Sequence, residues 1–177
     1  GALLQPSLET LLRRSQGRMI DSRFNTLEHH VLVLGHGELA ASILQGFHGD
    51  PSVLVVTDDE TAGETLGGSD VAVYTGDPTD EDVLRTARVE KAQAVIVALE
   101  HDGASALAIL TARQLDPDVR IVAAATHPGN VRKMKRAGAD VVVSPSTLAG
   151  RLLTASALGE VDAEALERRL CEDVTEE

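Results

Sequence analysis

The chain has 177 residues and a mass of 18.7 kDa, and its hydrophobic (43%) and charged (25%) fractions are typical of a folded domain. This length suits one domain with short appendages and excludes two full catalytic domains. Sixteen Lys and Arg against 28 Asp and Glu give a net charge of -12, which argues against a nucleic-acid partner. No apolar run approaches the ~20 residues that cross a bilayer and no signal peptide is visible, so we expect a cytoplasmic location.

The basic residues are mostly arginine, with 13 Arg and only three Lys. An acidic, lysine-poor surface suits a salt-rich cytoplasm, because screening over ~3 Å at 1 M salt suppresses repulsion between carboxylates. We therefore expect a halophilic source, and a melting temperature that rises between dilute buffer and molar KCl.

Along the chain, short β-branched runs alternate with longer helical patterns from residue 30 onward, which is typical of βαβ units. The predicted fold is therefore α/β, a Rossmann-like doubly wound sheet of six parallel strands with short helical appendages at both ends. The strands are expected at 31–34, 53–57, 71–74, 94–98, 119–124 and 140–143. The helices are expected at 38–47, 60–66, 79–88, 103–115, 128–137 and 146–157.

The organisation predicted from these patterns has three parts. Residues 1–28 carry leucines at amphipathic spacing and form an N-terminal helical arm or linker. Residues 29–157 form the Rossmann-fold domain, and residues 158–177 form a short C-terminal helix followed by an acidic tail.

Several helix ends carry recognisable capping residues. Thr79, followed by three acidic residues, is predicted to begin one helix, since acids complement the positive end of the helix dipole. Pro128 suits a first helical turn, and Gly138 after basic residues reads as a C-terminal cap. Ser146 or Thr147 is expected to cap the next helix.

The strongest chemical signal is a G-x-G-x-x-A turn, Gly35-His36-Gly37-Glu38-Leu39-Ala40, between the first strand and its helix. The first glycine permits the tight turn, the second lets backbone approach a pyrophosphate, and a small third residue allows close packing of helix on strand. The helix N-terminus then offers N–H groups to phosphate. The alternative is a tight turn beside an empty crevice.

Acidic residues follow the second strand, where a dinucleotide site wants a carboxylate for the ribose hydroxyls. Thr57 is followed there by Asp58, Asp59 and Glu60. These acids should repel NADP and tolerate NAD, ADP or ATP. The alternative is that Asp58 and Asp59 only cap the helix that follows.

Two further turns fall at the carboxyl ends of predicted parallel strands, the edge at which open α/β sheets bind ligands. Gly76 and Asp77 follow the third strand, and Leu99 and Glu100 follow the fourth. Together with the glycine turn they would frame one crevice. For Asp77, an ordinary turn and helix cap is an equal alternative.

No catalytic or metal-binding pattern accompanies the glycine turn. The only tyrosine, Tyr74, has Pro78 where a short-chain dehydrogenase needs lysine, and neither a G-x-S-x-G elbow nor a Walker A sequence occurs. The histidines lack metal-ligand spacing, and Cys171 is the single cysteine. We therefore expect no catalytic residue, no metal site and no enzymatic activity.

Five segments resemble one family, the RCK (regulator of potassium conductance) or TrkA-N domains, over about residues 29 to 155. The closing string from Ala-Gly-Ala-Asp through Ser-Pro to Gly-Arg-Leu is the most specific, because a generic nucleotide-binding fold has no need of it. The segments are His30–Gly37, Gly76–Thr79, Ala94–Glu100, Ala137–Pro145 and Gly150–Leu152.

This resemblance implies a cytosolic gating module of a potassium channel or a Trk or Ktr uptake system, held at the inner face of the membrane by its pore partner. Such domains pair as homodimers and assemble into rings, often octameric. Members that bind NAD, NADH, ATP or ADP hold phosphates at the glycine turn and ribose after the second strand. Carried over, these roles fall on Gly35, His36, Gly37, Asp58 or Asp59, Gly76 and Asp77. The predicted cofactor-binding residues also include Glu38, Leu39, Thr57, Ala98, Leu99 and Glu100.

Two departures from the family pattern matter. The usual ribose acid aligns with Thr57, which places Asp58 one position late. The calcium-gated archaeal member that the chain resembles has carboxylates where this chain has Ala98, Ala124 and Thr126, so calcium gating at that site is not expected.

The sequence is thus compatible with three functions. The first is a regulatory domain that binds NAD or NADH, with ATP or ADP as alternatives, and transmits a conformational change to a potassium-conducting pore. The second is the cofactor-binding fragment of an NAD-dependent oxidoreductase. The third is an assembly scaffold whose crevice binds no nucleotide.

Overall fold

The computed structural model describes residues 26–47, 52–62 and 71–172. Nearly all of the predicted arm or linker over 1–28, most of the predicted helix over 60–66 and the tail beyond 172 lie outside these residues. None of the described helices is both long and apolar enough to cross a bilayer.

The described elements alternate between strands and helices in the predicted order. The strands are β1 (His30–Leu34), β2 (Val53–Thr57), β3 (Ala72–Thr75), β4 (Ala92–Val97), β5 (Arg120–Ala124) and β6 (Val141–Val143). The α-helices are α1 (Gly37–Gly46), α2 (Glu81–Thr86), α3 (Asp102–Leu115), α4 (Val131–Ala137), α5 (Pro145–Ala157) and α6 (Ala163–Glu172), with 3₁₀ turns at Val89–Lys91 and Pro128–Asn130.

All six strands pair in parallel in one sheet, in the order β3-β2-β1-β4-β5-β6. Val33 of β1 is opposite Val55 on one side and Ile96 on the other. The predicted Rossmann-like fold is confirmed. Because the chain runs outward in opposite directions from β1 and β4, a crevice opens between the carboxyl ends of these two strands.

The sheet is covered by helices on both faces, which explains why β1 and β2 read as continuous apolar runs. Every residue of β2 is buried, and Leu32, Val33 and Leu34 of β1 have no exposed surface. One face packs on buried side chains of α3 and α4, and the other packs on α1. The ends of the central strands are therefore held rigidly on both faces.

Two helices begin at other residues than predicted. Asp80, not Thr79, caps α2, since its Oδ1 accepts hydrogen bonds from the N–H groups of Asp82 (2.8 Å) and Val83 (3.2 Å). Ser144 has the extended backbone of an N-cap, so α5 begins earlier than Ser146 or Thr147 would allow.

The glycine cap at the end of α4 is confirmed. Gly138 has a φ of +119°, in the left-handed region, and its N–H bonds the carbonyls of the last helical turn. Pro128 opens a 3₁₀ turn that leads into α4.

Candidate functional site

The glycine turn after β1 is shaped by the close approach of β4. Gly35 has a φ of +131°, and a Cβ atom there would lie 2.4 Å from the Ala98 carbonyl oxygen. Its N–H donates to the Val56 carbonyl at 2.9 Å. Gly37 also has a positive φ (+86°), but the nearest atom to an added Cβ would be Glu100 Oε1 at 3.8 Å. Gly35 is thus required for packing, whereas Gly37 keeps the space above the turn open.

The start of α1 presents backbone N–H groups to this space without a side-chain cap from the described residues. His36 is the N-cap residue and its side chain makes no capping hydrogen bond, in contrast to Asp80 at the start of α2. Ala40 has no exposed surface and packs against the sheet, which is the role expected of the small residue that ends the motif. The first-turn N–H groups and the helix dipole therefore favour an anion here.

The end of β2 lies directly beside the glycine turn. Thr57 has no exposed surface, and its Oγ1 is 3.0 Å from Nδ1 of His36 and accepts a hydrogen bond from the Asp59 N–H at 3.1 Å. The side chain of Asp58 is 70% exposed, with Oδ1 4.0 Å from the same Nδ1. The structure thus joins two predicted site residues, His36 and Thr57, that are 21 positions apart.

The two acids after β2 differ in how their oxygens are used. Oδ1 of Asp59 accepts hydrogen bonds from the N–H and the hydroxyl of Thr61, both at 2.8 Å. The bond from the Thr61 backbone is the main cause that lowers the pKa of the Asp59 carboxyl. Asp59 therefore caps the local turn, which was the alternative to ribose binding in the sequence analysis. Asp58 is the more exposed of the two carboxylates.

The turn after β3 is tied to the same edge of the sheet. The N–H of Gly76 donates to the Thr57 carbonyl at 2.8 Å. Oδ1 of Asp77 accepts hydrogen bonds from the N–H (2.8 Å) and the hydroxyl (2.7 Å) of Thr79. Asp77 thus stabilises its own turn, and the residue as a whole is exposed.

On the far side of the crevice, Asp102 holds two turns together. Its carboxylate is only 7% exposed and accepts hydrogen bonds from the N–H groups of Thr126 (2.8 Å) and His127 (3.0 Å) and from the Asn130 side chain (2.8 Å). Burial raises the pKa of this carboxyl, but the three hydrogen bonds outweigh burial and lower it. The hydroxyl of Thr126 also donates to the Glu100 carbonyl at 3.2 Å.

The role of Asp102 was missed on the sequence. Its partners lie 24 to 28 residues further along the chain, so no local spacing indicates the contact. The one local signal is its place as the first residue of α3, which reads equally well as an ordinary acid in a first helical turn.

A cleft of about 210 Å³ extends from the start of α1 across the ends of β4, β5 and β6. Among the predicted residues, Leu39 and Leu99 line it, and Ala98 is buried behind Gly35. Ala124 and Thr126, two of the positions at which a carboxylate would be needed for calcium, also face it. The lining residues are Leu39, Leu99, Ala124, Ala125, Thr126, Pro145 and Ser146.

Two curated relatives resemble this chain over most of its length. Potassium channel protein 1 of Methanocaldococcus jannaschii is 32% identical over 136 residues, which cover 75% of this chain and 40% of the relative. The Trk system potassium uptake protein TrkA homolog of Pyrococcus abyssi is 29% identical over 133 residues, 70% of this chain and 58% of the relative. The chain thus spans about half the length of these relatives.

Solved structures of the GsuK channel are similar as well. The channel bound to NAD matches at 28% identity with a TM-score of 0.66, over 72% of this chain and 23% of the channel. GsuK bound to ADP matches at 28% identity with a TM-score of 0.63, over 81% of this chain and 38% of the other.

The family profile covers nearly the whole sheet and most of the residues that line the cleft. The TrkA-N domain profile matches residues 31–145, which extend from β1 to the first residue of α5. This range is well over half of the chain and contains every predicted site residue. The chain belongs to the TrkA-N domain family.

Proposed function

We propose that this domain is a regulatory module that binds an adenine nucleotide in the crevice above Gly35 and Gly37 and signals its presence to a potassium-conducting membrane pore. The observation that carries the proposal is the glycine turn, which packs against β4 and leaves the uncapped start of α1 open. The preferred ligand is NAD or NADH, with ATP or ADP as alternatives. The likeness to GsuK structures bound to NAD and ADP supports this choice.

The pyrophosphate would lie on the first turn of α1, whose backbone N–H groups are not capped by a side chain among the described residues. Adenosine would then lie toward β2 and β3, with the exposed carboxylate of Asp58 available to the ribose hydroxyls. The same carboxylate would repel a 2′-phosphate, so NADP should bind more weakly. The cleft beside Leu39 and Leu99 would receive the second half of a dinucleotide, which favours NAD over a mononucleotide.

The electrostatic surroundings of this site are unusual for a phosphate site. The described turns that follow the six strands contain carboxylates, such as Asp58 and Glu100, but neither Lys nor Arg. Attraction therefore rests on backbone N–H groups and is opposed by these carboxylates, so binding should be tested in high KCl, where the repulsion is screened.

The regulatory part of the proposal rests on the family and on exposed apolar surface. The relatives are named as potassium channel and potassium uptake proteins, and their pore is the proposed partner. Leu107 and Leu110 of α3 are 51% and 45% exposed, which suits burial in a homodimer, within an octameric ring as the larger assembly. The domain would then act without catalysis, at the inner face of the membrane. Differential affinity for two dimer arrangements, about 1 to 3 kcal/mol, would be the signal.

The experiment is a thermal-shift panel of NAD, NADH, NADP, ATP, ADP and calcium in high KCl. A ligand at about 100-fold excess over its Kd should stabilise the native chain by about 2.7 kcal/mol. Gly37→Asp places a carboxylate in the phosphate position and should abolish the shift. Gly159→Asp is the matched control, because Gly159 also has a positive φ (+72°) and open surroundings.

Each outcome favours one of the three functions. A shift with NAD or NADH that Gly37→Asp removes supports the nucleotide module. No shift with any nucleotide favours the assembly scaffold. Turnover of NADH by the intact gene product, followed by its absorbance with candidate substrates, would favour the oxidoreductase fragment instead.

A further inference from the structure

The imidazole of His36 lies inside the glycine turn and is held there by the buried hydroxyl of Thr57. We infer that His36 donates a hydrogen bond from Nε2 to an oxygen of the bound nucleotide, and that Thr57 is a positioning residue that acts through His36. This inference rests on the proposed nucleotide site and deepens it. It adds an imidazole donor to the exposed carboxylate of Asp58 at the end of β2, where Thr57 occupies the position of the usual ribose acid.

The hydrogen-bond partners of Thr57 determine the tautomer of the neutral His36 imidazole. The Asp59 N–H donates to Oγ1 of Thr57, so this oxygen acts as an acceptor toward the backbone. The hydroxyl hydrogen of Thr57 then needs an acceptor of its own, and Nδ1 of His36 at 3.0 Å is the one that the described residues provide. A neutral imidazole that accepts at Nδ1 carries its proton on Nε2.

The opposite tautomer fits these contacts poorly. With the proton on Nδ1, both the His36 ring and the Asp59 backbone would donate to the Thr57 oxygen. The buried hydroxyl hydrogen of Thr57 would then have no acceptor among the described residues. A buried polar hydrogen without a partner is destabilising. Thr57 therefore acts as a relay that accepts from the Asp59 backbone and donates to His36.

Nε2 is the ring nitrogen available to a ligand. His36 stands between the two glycines of the turn, its side chain is 32% exposed, and none of the described residues makes a hydrogen bond to Nε2. Its nearest charged neighbour is Asp58, whose Oδ1 lies 4.0 Å from Nδ1. An N–H donor in this place matches an acceptor oxygen of the nucleotide, either a ribose hydroxyl or a phosphate oxygen.

Thr57 cannot make such a contact itself. It stands at the end of β2, where a dinucleotide site wants the ribose acid, but it has no exposed surface, and both functions of its hydroxyl are used inside the protein. Thr57 therefore affects affinity only indirectly, through the groups that its hydroxyl contacts, of which His36 is the one assigned to the ligand.

The tautomer is testable without any ligand. ¹⁵N NMR of histidine-labelled chain at mildly alkaline pH should show His36 with Nε2 protonated and Nδ1 as acceptor. Thr57→Ser keeps the hydroxyl and should keep this tautomer, whereas Thr57→Val, which has the same shape without the hydroxyl, should lose the bias. A wild-type His36 protonated at Nδ1 would overturn the relay.

Affinity measurements on folded variants test the ligand contact. Thr57→Val and His36→Ala should each weaken the binding of ADP and of NAD by about fivefold to tenfold, which is the effect expected from the loss of one hydrogen bond. The double variant should show no further loss, because both changes remove the same contact. Thr57→Ser should bind nearly as wild type, and His101→Ala, which removes an exposed imidazole after β4, is the control.

The ligand series distinguishes the two oxygen sources. A loss that appears with adenosine as well as ADP identifies a ribose hydroxyl, and a loss confined to ADP and NAD identifies phosphate. Normal binding by a folded Thr57→Val chain, or additive losses in the double variant, would overturn this inference alone. A wild-type chain that binds no nucleotide would overturn the proposed function and the ligand contact together, while the NMR result would still decide the tautomer.

Discussion

The two halves of the carboxyl edge of the sheet use their charged side chains in opposite ways. Beyond β4 and β5, the carboxylate of Asp102 is buried and accepts three hydrogen bonds from the protein. Beyond β1 and β2, Asp58 is exposed and His36 keeps a ring nitrogen without a described partner. This difference separates groups that build the domain from groups that remain available to a ligand.

Arg113 of α3 is a second charged residue in the β4–β5–β6 half that bonds to other parts of the domain. Its guanidinium donates to the carbonyls of Val119 (2.7 Å) and Gly138 (2.9 Å) and to Oδ2 of Asp140 (2.9 Å). That carboxylate also accepts from the Ile121 N–H at 2.7 Å, which is the main cause that lowers its pKa. The β4–β5–β6 half is thus joined by charged groups that bond to other parts of the domain.

The largest loss of stability is expected at Gly35, where the turn after β1 contacts the end of β4. Gly35→Ala would place a Cβ 2.4 Å from the Ala98 carbonyl at a φ of +131°, and should cost at least about 4 kcal/mol of unfolding free energy. Gly37→Ala has open space and only backbone strain, so about 1–2 kcal/mol is expected. Urea denaturation followed by circular dichroism measures both, and equal losses would contradict the packing argument.

The next largest loss of unfolding free energy is expected in the β4–β5–β6 half. Asp102→Asn replaces a buried carboxylate that accepts three hydrogen bonds with an amide whose NH2 group cannot accept them, and should lower the unfolding free energy by about 2–3 kcal/mol. Asp58→Asn, the same change at an exposed carboxylate, should alter it by less than about 0.5 kcal/mol. Chemical denaturation of the pair tests the contrast, which fails if Asp58→Asn is the more destabilising.

A smaller effect is expected from Arg113→Lys. Lysine keeps the charge but cannot bond the carbonyls of Val119 and Gly138 and the Asp140 carboxylate together, so a loss of about 1–2 kcal/mol is expected. Thermal denaturation in high KCl is the measurement. An unchanged melting temperature would show that these bonds add nothing beyond the charge.

The smallest effect concerns pH and His30. Burial is the main cause that lowers the pKa of this imidazole, whose Nε2 is 3.0 Å from the Ala87 carbonyl. The unfolded chain binds a proton below about pH 6.5 and the folded chain resists it, so stability falls as pH drops below that value. We expect a loss of about 1 kcal/mol over the first pH unit. His30→Leu should remove this slope, and a slope that persists in the variant would assign it to other groups.

Local sequence patterns were sufficient for the fold, because strand burial and the Gly35–Ala40 turn are short-range features. They were insufficient for the contacts that distinguish the two halves. Asp102 bonds a turn that lies 24 residues further along the chain, and the whole of α1 lies between His36 and Thr57 in the sequence. No local spacing of residue types therefore indicates either contact. Capping was ambiguous for a local reason, since the neighbouring residues Thr79 and Asp80 are both good caps and only the structure shows that Asp80 is the N-cap.

The most direct test of the central claim is an NMR titration of the ¹⁵N-labelled chain with ADP and then NAD in high KCl. The account predicts that the largest amide shifts occur at Gly37, Glu38 and Leu39 in the first turn of α1, while the amide of Ile121, bonded to Asp140, stays unchanged. Shifts that are confined to the β5–β6 half, or no shift at saturating nucleotide, would contradict a nucleotide site at the glycine turn.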